Sequence, residues 1–325
     1  MDTAVPADNK YLMVDMSGVG QKPVGAAGRV GVQDELARQE TKDVPKVVLV
    51  LKVGRHGEKD KTGDSPLSEG GERQAFSYGY GLDHTTPTDE VYGVKVYSSG
   101  IERAHFTGQM ISEGASQAIE DSPSPHLTRF DSSGNPLVHR NRDELSYEGL
   151  VHLCDGALTN LQGPFMREHH PGYAQYDERQ RKAAMQDAED YVCNLALQQY
   201  PGFVDTAASN VARLLLRQLG MADSLKDGSR AIMVDVSHNS PLISFLSKCL
   251  VRRNTDTGET TMGFSRVEEI GGSLKPAEFF EIKKTIGHDG NARLEFRFDD
   301  PHRLSGYQCS LDVDEMGRLA LRATR

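Results

Sequence analysis

From Lys46 to Val53 apolar and polar positions do not alternate: six of the eight residues are Val or Leu. Such a run predicts a strand buried on both faces, as in a parallel sheet covered by helices. It ends in Gly54–Glu58, G-R-H-G-E, with Arg55 and His56 side by side between two glycines. Ser68 then resembles an N-cap for a helix over E-G-G-E-R-Q-A-F-S-Y-G-Y that opens acidic. Val91–Tyr97 reads as a second strand, closed by Ser98, Ser99 and Gly100. Ile101–Ala115 follows as a helix with Ile101, Ala104, Met110 and Ile111 available for one face. Glu178–Tyr200 and Thr206–Leu219 are helices separated by Pro201–Gly202. Ala231–Val236 is a third core strand running into S-H-N-S-P-L, where Pro241 suits the first turn of a helix reaching Val251. After Thr261 strands are expected at Gly263–Ile270, Phe279–Ile286 and Ala292–Phe298, the last two joined by a hairpin at His288–Asn291.

Successive strand–turn–helix units predict an α/β fold: a mostly parallel central sheet flanked by helices on both faces, a three-layer sandwich. Residues 1–44, with only Tyr11–Met16 apolar, read as an extended or disordered arm, and 45–325 as the catalytic domain. That domain is expected to carry a helical and loop insertion at about 121–200 and a strand-rich segment at 261–325. Gln162–Asp177 reads as a long loop, and 122–142 as irregular apart from a short extended piece at His126–Phe130. The G-V-G of Gly18–Gly20 follows no strand, so it does not make a dinucleotide site.

Charge changes the picture by exclusion. A net charge of −10 argues against a surface that coats nucleic acid, and an anionic substrate would need a local cluster of arginines. Cys154, Cys193, Cys249 and Cys309 are far apart and form no C-x-x-C pair, so reduced thiols are expected rather than disulfides or a zinc site. There is no apolar stretch of membrane-spanning length and no secretory signal pattern, so the expected location is cytoplasmic, away from membranes.

In a parallel sheet the carboxyl ends of the strands share one edge, where open α/β sheets place their ligands. Three such ends carry polar residues: Arg55 and His56, Ser99 to Arg103, and Ser237 to Asn239. Two arginines and two histidines around one point make an anion trap, because guanidinium forks match phosphate oxygens. At an effective dielectric of ~20, a charge pair 4 Å apart is worth roughly 4 kcal/mol before desolvation, enough to hold a phosphoryl group. The reading is a phosphate-handling site with His56 as nucleophile. Plainer roles stand beside it: a core histidine for His56, a helix N-cap for His238, a strand end for Ser99. A metal site on His56, His238 and Glu144 would face repulsion from the arginines. His169 and His170 fit a solvated loop, and Asp187–Asp190 a solvated helix face. Arg129, Arg140 and Arg142 could reach a substrate's outer charges.

These residues resemble the histidine phosphatase superfamily, also called phosphoglycerate-mutase-like. Its opening R-H-G is present as Arg55, His56 and Gly57, with Glu58 as the frequent following acid. Its L-T-E-x-G-x-x-Q-A stretch looks like Leu67–Ala75, its S-S-x-x-x-R-A like Ser98, Ser99, Arg103 and Ala104, and its late histidine like His238. The resemblance spans roughly Val47 to Val251. It implies that His56 forms a phosphohistidine, that Arg55 and Arg103 hold the phosphoryl oxygens, and that His238 donates to them, with Ser99 and Asn239 beside the phosphate. For the general acid, one branch of the family uses a glutamate downstream of the second arginine, and the other an Asp directly after the late histidine. Asn239 occupies the second place, and R-D-E-L-S-Y-E-G-L offers Glu144 and Glu148, of which Glu144 fits the first branch better. The expected function is hydrolysis of a phosphoric monoester, on a small molecule or a phosphoprotein, without metal or organic cofactor. A phosphomutase and a non-catalytic phosphate-binding scaffold are the alternatives.

Overall fold

In the computed structural model the Val/Leu run becomes β1 (Val47–Arg55), an interior strand of a six-stranded sheet. The structure describes residues 46–59, 65–82, 91–121, 140–154, 156–159 and 161–322, all within the unit Val44–Arg325. The other strands of this sheet are β2 (Val91–Ser98), β3 (Arg140–Asn141), β4 (Ser229–Ser237), β7 (Phe279–Ile286) and β8 (Ala292–Phe298). Their order is β3-β2-β4-β1-β7-β8. The first four run parallel, whereas β7 is antiparallel to β1 and β8 to β7. The sheet is therefore mixed, and the parallel part is the part whose strand ends carry the polar residues.

Both faces of β1 are covered, as the unbroken apolar run required. Val47, Leu49, Leu51 and Val53 join Ala231 and Met233 against helices α5 (Pro201–Met221) and α6 (Asn239–Cys249). Val48 and Val50 join Val94, Val96, Ile232 and Val234 against α1 (Glu69–Tyr80) and α2 (Glu102–Asp121). Lys52, the polar residue inside the run, meets Glu281 at 3.1 Å and Asp299 at 2.8 Å from the two antiparallel strands. Ser68 caps α1 as expected, its hydroxyl accepting from the Gly71 N–H. Two further helices, α3 (Gln162–His169) and α4 (Glu178–Gln199), precede α5. A second, antiparallel sheet, β6-β5-β9, comprises β5 (Leu250–Asn254), β6 (Thr260–Met262) and β9 (Tyr307–Leu311). The last helix, α7 (Val313–Arg322), sinks Met316 and Leu319 into the core shared by α5 and α6.

Several local expectations are corrected. Gly263–Ile270 is not a strand: β6 ends at Met262, Gly263 takes φ +61°, and Val267–Ile270 is a single 3-10 turn. Val267 and Ile270 are both buried, and that three-residue spacing belongs to a helical turn rather than a strand. Gln162–Asp177 is not a loop throughout, since it contains α3 and a turn at Tyr173–Gln175; His169 lies on that helix. Pro201 opens α5 instead of spacing two helices, because the missing proline N–H would have had no partner in a first turn anyway. The expected N-terminal arm, Gly18–Gly20, His126–Phe130 and Arg129 lie outside the described residues, and so does the side chain of Arg140. Among the described residues, no helix is long and apolar enough to cross a membrane.

Candidate active site

Strand register brings the polar ends level. Gly54 and Ser98 both face Val236, and Arg55 faces Ser237, so His56, Ser99 and His238 all lie just past the same rung of the sheet. The His56 N–H donates to the Ser237 carbonyl at 3.0 Å, and the Ser99 N–H to the Val236 carbonyl at 3.0 Å. The rings of His56 and His238 stand 5.0 Å apart, centroid to centroid. Arg103 enters from the first turn of α2, and Asn239 begins α6. Arg55, His56, Arg103, His238 and Asn239 all line one cavity of about 1030 Å³, with Ser99 hydrogen-bonded to His238.

Hydrogen bonds assign the two imidazoles different work. His56 Nδ1 lies 2.7 Å from the Gly57 carbonyl, an acceptor only, so Nδ1 carries the hydrogen and Nε2 keeps its lone pair. Ser99 Oγ lies 2.9 Å from His238 Nε2 and also receives the Ile101 N–H at 3.4 Å. His238 Nδ1 is buried without a partner. Burial lowers the pKa of both rings well below the ordinary value. For His56 the charges of Arg55, His238 and Arg103 push the same way against a small opposing pull from Gly57, and for His238 so do Arg103 and Arg55. Both are held neutral, so His56 Nε2 keeps its lone pair.

The arginines are held but not saturated. Arg55 donates through Nη1 to the Leu274 carbonyl at 2.8 Å and meets Glu189 through Nη2 at 3.2 Å. The loop bearing Leu274 is pinned in turn by Arg303, which donates to the carbonyls of Ile270 and Gly272 and pairs with Glu278 at 2.9 Å. Among the described residues Arg103 reaches the Tyr147 hydroxyl, at 3.4 Å, and the Tyr147 ring stands edge-on to His238 at 5.0 Å. The Nε groups of both arginines are buried with no partner. A buried N–H left unpaired costs about 1–3 kcal/mol, and the residues that carry these atoms, Arg55, Arg103 and His238, line the same cavity.

Glu144 is not brought to this cavity. It lies in the short turn Asp143–Leu145, and its carboxylate takes Arg217 of α5 at 2.8 Å. Glu148 is exposed and does not line the cavity either. Arg142 stacks over Tyr97 at 4.9 Å, also away from the lining. The carboxylates that do line it are Glu58, beside the R-H-G, and Glu189, read from the sequence as part of a solvated acidic face. Only Asp187 of that run behaves so, with a side chain 59% exposed against 20% for Glu189, while Asp190 is tied to Ser273. Gln162, Tyr147 and Glu189 were thus missed as lining residues. For Glu189 the available signal was its place in the buried stripe of α4, between Ala188 and Val192. Among the described residues, no group of three or more His, Cys, Asp or Glu side chains is gathered to hold a metal ion.

No protein-family model matches the chain, and no curated protein matches it. Among solved structures, a phosphoglycerate mutase from Bacillus anthracis str. Sterne is similar at 17% identity, over 88% of this chain and 100% of that one, with a TM-score of 0.33. A phytase of Hafnia alvei is similar at 10% identity, over 86% and 96%, with a TM-score of 0.41. A mycobacterial glucosyl-3-phosphoglycerate phosphatase is similar at 15% identity, over 78% and 97%, with a TM-score of 0.36. Superpositions this loose leave the chemistry to be read from the cavity itself.

Proposed function

We propose that this chain is a histidine phosphatase that hydrolyses phosphoric monoesters through a phosphohistidine on His56. The observation that carries the reading is the convergence of a free His56 Nε2 with Arg55, Arg103 and His238 around one cavity. The donors take the phosphoryl oxygens while Nε2 attacks phosphorus, and preorganised donors stabilise the charge that builds on those oxygens. Covalent capture divides the displacement into two steps, the second completed by water. Exposed Lys59, Lys182 and Lys275 line the same cavity, so it opens to solvent, which supports hydrolysis over transfer back to a bound alcohol.

The test is turnover of an aryl phosphate combined with acid-quench trapping of labelled enzyme. Wild-type protein is expected to release phosphate and carry an acid-labile, base-stable label. His56→Ala is expected to lose both, with a drop in rate of about 10³-fold or more, in the range seen when a nucleophile is removed. Turnover undiminished in His56→Ala would overturn the reading. Phosphate binding without turnover in the wild type would make the chain a scaffold, and phosphoryl exchange between two alcohol positions a mutase.

A further inference from the structure

We propose that Glu189 is the proton carrier of this reaction: it takes up a proton when the phosphoryl group enters and gives it to the leaving oxygen. The inference rests on the phosphohistidine reading above. Among the described residues, two carboxylates line the cavity, and their settings differ. Glu58 is about one-third exposed and faces Lys182 at 3.8 Å. Glu189 lies deeper, on Arg55 Nη2 at 3.2 Å, and also receives the Asn239 amide at 3.2 Å and the Gln162 amide.

A carboxylate bound to the arginine that must grip the substrate is a conflict unless its charge can be removed. Before substrate arrives, Glu189 serves as counter-ion to Arg55, a residue that is itself only 8% exposed. Burial pushes the Glu189 carboxyl up, but Arg55, the Asn239 and Gln162 amides and Arg103 more than offset it and hold the acid below its ordinary range. A phosphoryl dianion on Arg55 and Arg103 takes over that compensation. Two anions then share one cationic site and their repulsion disfavours the second charge; the phosphoryl oxygens face guanidinium donors that have only hydrogens to offer, so the proton goes to Glu189. The groups facing Glu189 are Arg55 from β1, Arg103 from α2, Gln162 from α3 and Asn239 from α6. On its own helix Cys193 has its thiol pushed up by burial and stays neutral, and Asp190 is turned to Ser273 at 2.6 Å.

The step balances. His56 Nε2 forms a bond to phosphorus as the ester P–O bond breaks, and the Glu189 proton passes to the departing oxygen to release the alcohol. A water oxygen then bonds to phosphorus, the N–P pair returns to Nε2, and Glu189 takes the water proton. When phosphate leaves, Glu189 loses that proton and pairs with Arg55 again.

The experiment compares wild type with Glu189→Gln, which preserves the side chain's shape, on p-nitrophenyl phosphate and on glycerol phosphate. The nitrophenolate leaves without a proton and the alkoxide does not. Glu189→Gln is expected to lose 10²–10⁴-fold on glycerol phosphate, the usual worth of a positioned acid, and less than tenfold in the pre-steady-state burst with the aryl ester. Calorimetric titration with inorganic phosphate in buffers of different ionisation enthalpy should show about one more proton taken up by wild type than by Glu189→Gln. Equal loss on both substrates, or equal proton uptake by the two proteins, would reduce Glu189 to a support for Arg55. A wild type that binds phosphate and makes no phosphohistidine would instead overturn the hydrolase reading.

Discussion

Asp235 sits fully buried on β4, with Gln218 Nε2 donating to its Oδ1 at 2.9 Å. Its other oxygen and the Gln218 carbonyl oxygen are both buried and unpartnered, and a single hydrogen on the carboxyl would serve both. Burial raises its pKa to about 7, against the opposing influence of the Gln218 bond and of Arg142. A raised pKa favours the fold below the unfolded value near 4, and that contribution is lost as pH climbs through about 7. Asp235→Asn keeps an amide–amide pair and should therefore gain on wild type as pH rises, by about 1–3 kcal/mol at pH 8 relative to pH 4, read from melting at the two values. A difference that does not change with pH would mean the carboxyl is ionised throughout. Polar residues of this kind mark the limit of what the sequence makes legible. Arg55, His56, Arg103 and His238 stood out because each follows a strong apolar run, so their convergence needed only the strand order. Glu189 did not, because a run of acids on a helix looks alike whichever of them turns inward, and that is decided by α3 and the Ser273 loop packing around it.

At the scale of elements, α1 and α2 approach through glycine. A Cβ on Gly114 would fall 2.0 Å from the Phe76 carbonyl oxygen, and one on Gly79 2.0 Å from that of Ile111. These neighbours are backbone and cannot step aside, so the helices themselves would have to part. Alanine improves helix propensity by about 1 kcal/mol, whereas forced overpacking costs about 1–3 kcal/mol. Gly114→Ala should therefore destabilise, by about 1–2 kcal/mol in urea titration, while Gly317→Ala in α7, with nothing within 4 Å, should stabilise by about 1 kcal/mol. If both changes had the same sign, the close crossing would not be what holds α1 and α2 together. The strands β1, β2 and β4 are legible because branched apolar residues dominate their local signal, and β7 and β8 because two apolar segments flank the turn at His288–Asn291. The 3-10 turn at Val267–Ile270 and helix α7 are not. The first is too short for its period to show, and the apolar stripe of the second, Met316 and Leu319, gains meaning only from the α5–α6 surface beneath it.

For the whole molecule, charge is distributed unevenly. A chain of net charge −10 places Arg55, Arg103, Arg181 and three lysines around one cavity, against Glu58 and Glu189. Such a cluster of cations makes a local field that attracts small anions. The parallel half of the sheet could be anticipated from successive strand–turn–helix units, and the β7–β8 pair from its hairpin; that β7 runs antiparallel to β1 could not, because a strand's direction depends on how the chain returns to it. That return has a consequence for how the protein is made. β1 has β4 on one edge and β7 on the other, so Val47 waits for both Ser229 and Ile286 before it is paired. On the ribosome, this apolar strand emerges well before β4 and β7, and one of its edges stays bare until β7 follows. Nascent chains stalled at residue 275 should therefore be protease-sensitive and chaperone-bound, and those extended past the last helix should be resistant; early protection of β1 would show that it finds a partner other than β7.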